Sequence, residues 1–400
     1  MQDQPGSATQ AVGGRRVGQP SERSKIPSFM VMDVMSAAAA AEAEGRHVIH
    51  MEVGQPGTAA PEAARQALAA NLDDQKLGYT LALGMPELRQ RIARLYGEWY
   101  DVDVSADRIV VTNGSSAAFI LAFLTLFEAG DAVALPSPGY PCYRHILSAL
   151  GQSYRLLETG PETRWMPTLD QLAQFQGQIA GALVASPNNP TGTMLEPERL
   201  ADIARYCDEH DIWFISDEIY HGLTFGQPAK TALQYSDNAV IINSFSKYFS
   251  MTGWRVGWMV VPEALVANAE RLAQNLFICA PAPSQLAALA GFEGKEELDR
   301  NRDVYAANRD LLLAELPRVG LPEIVPADGA FYIYADVSDH TQNSLEFASQ
   351  MLQETGIAAT SGVDFDEARG HRYMRFSYSG TTADIKEAIS RLGGWQRLKA

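Results

Sequence analysis

Cysteine is scarce: Cys142, Cys207 and Cys279 are the three in 400 residues, far apart and without paired C-x-x-C spacing. That excludes a disulfide scaffold and a cysteine-rich zinc site, and a reducing cytoplasm is the compartment expected. Positive charge is short as well. With 32 basic against 48 acidic side chains the formal charge is −16 and the pI near 4.9, which excludes generic binding to nucleic acid or to an anionic membrane. Long apolar runs are missing too: the strongest, Ala117 to Phe127, would reach only ~16 Å as a helix, about half a bilayer core, so a soluble protein is expected. No H-E-x-x-H, G-x-S-x-G or Walker A loop occurs. His47 and His50, three apart on a strand, point to opposite faces and cannot chelate together, and no metal is expected.

What is present is enough for a sizeable core, with 46% apolar residues and a length suggesting two or three structural units at ~150 residues each. Residues 1–25 read as a flexible tail; Arg15-Arg16 is followed by a polar stretch where a twin-arginine signal needs an apolar one. An Ala-rich helix is expected from Ser36 to Glu44, then a β-prone run from His47 to Val53 closed by the turn Gly54-Gln-Pro-Gly57. Strand candidates follow at Arg108–Thr112, Ala132–Leu135, Gly181–Ala185, Trp213–Ser216, Val240–Ile242 and Val256–Val261. Helical spacing separates them at Glu87–Tyr100, Ser116–Glu128, Tyr143–Leu150, Pro197–Glu209 and Pro262–Ala273. This alternation is α/β with a central sheet. The last hundred residues change character, with a long charged helix at Glu293–Leu316, strands at Gly329–Ala335 and Tyr373–Tyr378, and a closing helix from Ala383, which is an α+β unit.

Lys247 is unlike the other six lysines, which occupy tails, loops or charged helix faces. It follows the strand Val240–Ile242 through Asn243-Ser-Phe-Ser246 and stands among aromatics at the carboxyl end of that strand, where α/β sheets bind ligands. Burial there disfavours the ammonium form and frees the amine for imine chemistry, although an isolated lysine at a core rim also snorkels. Ser216-Asp217-Glu218-Ile219-Tyr220 brings an acid and a phenol to the end of another strand; Asp217 is equally placed as a helix N-cap. Asn188-Asn189-Pro-Thr-Gly192 is a turn at the same sheet end. Thr112-Asn113-Gly114-Ser115-Ser116 opens an apolar helix whose N-terminus serves either for ordinary capping or as an anion site, and Arg255 adds a fixed cation suited to phosphate. A lysine, an aspartate, a phenol and an anion cradle are together what pyridoxal phosphate needs.

From about Ile26 to the end the chain resembles the fold-type I pyridoxal-phosphate aminotransferases of classes I and II, the aspartate aminotransferase-like family. The resemblance is carried by Gly54-Gln-Pro56, Tyr79-Thr80 with Gly84, Thr112 to Ala117, Pro136-Ser-Pro-Gly-Tyr140-Pro141, Asn189-Pro-Thr-Gly192, Ser216 to Tyr220, Ser244-Phe-Ser-Lys247, Met251-Thr-Gly-Trp-Arg255-Val-Gly257 and Met374-Arg375-Phe-Ser377, in the family's order. It implies a large domain over 55–300 with a mostly parallel seven-stranded sheet between helices. A smaller α+β domain would be made of 26–54 and 301–400 and would close over substrate.

The resemblance also implies the activity: transfer of the amino group of an L-amino acid to a 2-oxo acid, 2-oxoglutarate being the expected acceptor, by a ping-pong exchange of aldimine and pyridoxamine forms of pyridoxal 5′-phosphate. Lys247 would hold the cofactor and move the proton, Asp217 would pair with the ring nitrogen, and Tyr220 with Asn189 would meet the ring oxygen. Gly114, Ser115, Ser116, Ser244, Ser246 and Arg255 would hold the phosphate and Tyr140 would stack on the ring. Arg375, with Asn189 and Gly54, would bind substrate. Tyr79 would reach the phosphate of the other subunit of a homodimer, unless it is a core tyrosine beside Leu77 and Leu81.

Two departures lie near the substrate entrance: Gly57-Thr-Ala replaces an acid and an aromatic, and Gln55 stands where glutamate is common. Ile26, Phe29, Met30, Cys279 and Tyr332 are side-chain-recognition candidates by position, with core packing as their other reading. Ser244-Phe-Ser-Lys247, Ser236-Asp-Asn238 and Lys230-Thr-Ala232 also approximate the S-x-x-K, S-D-N and K-T-G elements of penicillin-binding enzymes, but in reversed order and within 230–247. A carbon–sulfur β-lyase or a cyclopropane-forming synthase would use the same lysine and aspartate. The sensor half of a transcription regulator would need a basic helix-turn-helix extension.

Overall fold

The computed structural model describes residues 18–73 and 77–399. The expected tail lies outside the described residues up to residue 17. Beyond that, Glu22–Ser24 forms a 3₁₀ turn with Arg23 against Gly151, at the end of the helix Cys142–Leu150. The alanine helix spans Met30–Ala43, starting six positions before Ser36, because the helix-forming run already begins at Met30, after Pro27. It leads to the short strand β1 (Ile49–His50).

Seven strands form the main sheet: β2 (Ile109–Thr112), β3 (Ala132–Ser137), β4 (Ser153–Glu158), β5 (Gly181–Ala185), β6 (Trp213–Asp217), β7 (Val240–Ser244) and β8 (Gly257–Val260). Their order is β2-β8-β7-β6-β5-β3-β4, and every pairing is parallel except the two made by β8. This is the mostly parallel α/β sheet expected. Strands β2, β5 and β7 are buried at every residue, which is why they read as unbroken apolar runs. Strand β4 has no such signature in the sequence: as an edge strand half open to solvent it carries Ser153, Arg155 and Glu158 and lacks that run.

The helix Gly114–Leu126 packs against β7, β8 and the helix Val266–Leu276, leaving one stripe with Ser116 and Leu124 exposed. Its Phe119 and Phe123 are fully buried, a contribution of ~1.5–3 kcal/mol each. Later in the chain come β9 (Tyr332–Asp336), β10 (Ile357–Ala358), β11 (Thr360–Ser361) and β12 (Tyr373–Ser377). Strands β11, β12 and β9 make an antiparallel sheet, in which Arg375 sits between Thr360 and Tyr334. Strand β10 pairs in parallel with β1, joining the two ends of the chain.

Candidate active site

Parallel strands deliver their loops to one sheet edge. At or just beyond the carboxyl ends of β2, β3, β5, β6 and β7 stand Gly114 to Ser116, Tyr140, Asn189, Asp217 with Tyr220, and Ser244 with Ser246 and Lys247, respectively. Arg255 arrives from the other direction: it precedes β8, which runs antiparallel and so begins where its neighbours end.

Lys247 Nζ donates to the Gly54 carbonyl at 2.6 Å and lies 5.7 Å from the centre of the Tyr220 ring. Burial, helped by repulsion from the Arg375 and Arg255 guanidiniums, pushes its amine down to about 8, against the pull of Asp217. Asp217 moves the other way. Burial pushes its carboxyl up to about 6, opposed by the Tyr143 hydroxyl, the Ile219 N–H and the Lys247 charge. Tyr143 donates to Oδ2 and the Ile219 N–H to Oδ1 at 3.1 Å. Asp217 therefore does cap, but it caps a turn, since no helix follows β6 at this point.

The residues expected to cradle an anion come from elements that are neighbours in the sheet. Ser244 Oγ donates to Ser246 Oγ at 2.8 Å and accepts the Ser246 N–H at 3.0 Å. Gly114 has φ +77°, a conformation open to glycine, and a Cβ there would lie 2.4 Å from Arg255 Nη2. The guanidinium thus rests on the start of a helix whose first N–H groups have no intrahelical acceptor.

Arg375 is 1% exposed, its Nη1 donating to Asn189 Oδ1 at 2.9 Å and its Nη2 to the Glu52 carbonyl. Its plane lies over the rings of Tyr332 at 4.4 Å and Phe365 at 4.6 Å, and its Nε has no partner among the described residues. Tyr332 in turn bonds the Tyr220 hydroxyl at 2.8 Å. A buried lysine with a lowered pKa, a buried carboxylate, the Ser244–Ser246 and Gly114–Arg255 groups and a guanidinium with an unused donor gather at one sheet edge, which suits covalent capture of a phosphorylated carbonyl compound.

The sequence profile of the family aminotransferase class I and II matches residues 46–392. The chain belongs to that family. This aminotransferase is 50% identical, over 93% of its length and 97% of the relative's, to a valine–pyruvate aminotransferase of Mycobacterium tuberculosis. It is 32% identical to a (5-formylfuran-3-yl)methyl phosphate transaminase of Methanocaldococcus jannaschii, covering 91% of the aminotransferase and 96% of the relative. A crystal structure of an aminotransferase from Mycobacterium tuberculosis superposes with a TM-score of 0.92 at 49% identity, over 94% of this chain and 98% of that one. Pyridoxal 5′-phosphate is the cofactor of the family, and the residues present fit it: the cradle that a Cβ at Gly114 would fill suits its phosphate, and the buried Asp217 suits its ring nitrogen.

Not every expected residue of the aminotransferase joins this edge. Tyr79 is 84% exposed, which excludes the core reading, and lines a surface groove with Cys279 and Ile278. Phe29 packs edge-on against Tyr140 at 5.8 Å, the Met30 N–H reaches Asp364 Oδ1 at 3.5 Å, and Ile26 is 41% exposed. Tyr143 was missed in the sequence; its signal was the spacing of three from Tyr140 at a helix start, which lets both face the same way. The Glu52 carbonyl and a buried network behind Asp217 carried no signal. In that network burial pushes the Glu218 carboxyl up to about 8 and the His221 imidazole down to about 3. His221 Nε2 is 2.9 Å from the Ser186 carbonyl, and its Nδ1 is 2.7 Å from the Tyr100 hydroxyl. No helix among the described residues is long and apolar enough to cross a membrane.

Proposed function

We propose that this aminotransferase moves the amino group of a neutral, apolar L-amino acid to a small 2-oxo acid of the pyruvate class, as a cytoplasmic homodimer. The observation that carries the chemistry is the convergence of Lys247, with its amine pushed down to about 8, on Asp217 and Arg375 at one sheet edge. Bound pyridoxal phosphate supplies an electron sink for the breaking Cα–H bond. Lys247 would hold the cofactor through Nζ and would carry the proton taken from Cα. Asp217 keeps the ring nitrogen protonated. Tyr220 and the Asn189 amide donate to the ring oxygen, since Asn189 Oδ1 is already occupied by Arg375.

Gly114, Ser115 and Ser116 with Ser244, Ser246 and Arg255 hold the phosphate, whose charge of about −1.5 to −2 calls for this many donors. Tyr140 covers the ring face, and Gly54 lines the substrate side through the carbonyl that accepts from Lys247. Arg375 would offer its unpartnered Nε–H and remaining Nη hydrogens to the α-carboxylate and so orient the substrate. Tyr79 of the partner subunit completes the phosphate site. The segment before Gly54, joined to the C-terminal part through β1 and β10, closes over substrate with Phe29 against Tyr140.

The substrate class rests on charge. A second carboxylate, as on 2-oxoglutarate, calls for a second free cation, and the neighbouring arginines are engaged: Arg144 with the Asp364 carbonyl and Glu367, Arg369 with Asp366 and the Ser137 carbonyl. The 50% identical relative, a valine–pyruvate aminotransferase, supports the same pair. The test is the visible spectrum of the purified protein before and after a panel of L-amino acids, followed by pyruvate or 2-oxoglutarate. Valine-like donors are expected to bleach the band and release their keto acids, and pyruvate to restore it faster than 2-oxoglutarate. Restoration by 2-oxoglutarate alone would return the acceptor to the one expected from the sequence, and release of ammonia would replace transfer by a lyase reaction.

A further inference from the structure

We propose that Tyr332 is a positioning residue that orders a hydrogen-bond chain from the carboxylate clamp to the ring oxygen of the cofactor. Its place in the fold allows this. Tyr332 opens β9 and pairs with Ser377, two residues along β12 from Arg375, so the two side chains meet diagonally across the strands. It is 1% exposed, its ring lies 4.4 Å beneath the Arg375 guanidinium, and its hydroxyl sits 2.8 Å from that of Tyr220. A Cβ on Gly54 would fall 1.8 Å from the Tyr332 hydroxyl, so glycine at 54 is what admits the phenol. The carbonyl of that same glycine accepts from Lys247. One side chain thus touches the carboxylate clamp, the ring-oxygen donor and the residue that holds the lysine.

Proton counting gives the chain its direction. Each phenol has one hydrogen to donate. On the reading that Tyr220 gives its hydrogen to the ring oxygen, on which this proposal rests, Tyr220 must accept from Tyr332. The Arg375 guanidinium lies closer to the Tyr332 ring, at 4.4 Å, than the Lys247 amine does to the Tyr220 ring, at 5.7 Å, which makes Tyr332 the better donor, and a donor in series strengthens the next bond along. Losing the Tyr332 hydroxyl therefore weakens the bond from Tyr220. The ring oxygen then keeps more of its charge and holds the neighbouring proton more tightly, so the pH midpoint of the visible band rises.

The experiment is a pH titration of the visible band of the holoenzyme for the natural protein, Tyr332→Phe and Tyr220→Phe, with KM measured alongside. Tyr220→Phe is expected to raise the midpoint by about one pH unit, and Tyr332→Phe by about half as much in the same direction. Tyr332→Phe keeps the platform under Arg375 and leaves the KM for the amino acid within about twofold. Tyr332→Leu removes the platform and raises that KM several-fold. A midpoint that moves in Tyr220→Phe but not in Tyr332→Phe overturns the proposal and leaves Tyr332 as core filling. If neither midpoint moves, Tyr220 does not meet the ring oxygen, and the proposal falls together with that reading.

Discussion

Burial at Lys247 sets a pH dependence that can be measured before any turnover. Its amine is pushed down to about 8, so the neutral, nucleophilic form predominates above that pH and falls about tenfold for each unit below it. The rate at which apoenzyme captures pyridoxal phosphate should rise with pH through a midpoint near 8 and level off above it, as followed by growth of the visible band. Lys247→Ala should show no such band and lose turnover by at least ~10³-fold. Tyr143 makes a second prediction at this scale. Its hydroxyl donates to Asp217 Oδ2, and a hydrogen bond to a charged acceptor is worth ~1.5–3 kcal/mol. Tyr143→Phe should lower kcat/KM about tenfold and weaken cofactor binding in an equilibrium titration, while the fold stays intact because the ring still packs against Phe119. Lys247 and Asp217 were legible in the sequence because Asp217 ends an apolar strand and Lys247 closely follows one. Tyr143 acts across 74 positions of chain, and only the packing of its helix on the sheet reveals its partner.

Elements rather than single residues make the anion cradle. The helix Gly114–Leu126 can begin beside Arg255 because Gly114 adopts φ +77° and has no Cβ. Gly114→Ala would meet both the backbone strain and the guanidinium 2.4 Å away. The expected outcome is cofactor affinity lowered by at least about tenfold in a titration of apoenzyme, with a smaller effect on thermal stability because Arg255 is exposed and can swing aside. At this scale the sequence served buried elements best. Strands covered on both faces showed themselves as apolar runs, whereas the edge strand β4 and the helices Glu62–Asn71 and Ser344–Thr355 did not, because their half-exposed patterns compete with ordinary loop composition.

For the whole molecule, the exposed Tyr79 is the informative residue. It shares a groove with Ile278, which is 50% exposed, and Leu81 and Leu276 nearby are 60% and 49% exposed. Apolar groups left open in this way suit a face covered by a second copy. The proposed dimer predicts a solution mass near twice the 43.6 kDa of the chain, and it predicts complementation. Lys247→Ala and Tyr79→Ala should each be poor enzymes alone. A mixture allowed to exchange subunits should recover activity, because the hybrid dimer holds one site with Lys247 from one chain and Tyr79 from the other. No recovery on exchange, with hybrids shown to form by mass, would place Tyr79 outside the site.

The residue types, their order and the buried strands near them were legible in the sequence alone: short apolar runs ending in Asp217 or followed within a few residues by Lys247 and Asn189 had to be buried strands, since burial along the chain is a local property of composition. Tertiary structure alone decided which groups face each other. The antiparallel entry of β8 set Arg255 against Gly114, the diagonal of β9 and β12 laid Arg375 on Tyr332, and the parallel pairing of β1 with β10 tied the two ends of the chain together. Such contacts span up to several hundred residues, and no local pattern encodes a distance between groups that far apart in the chain.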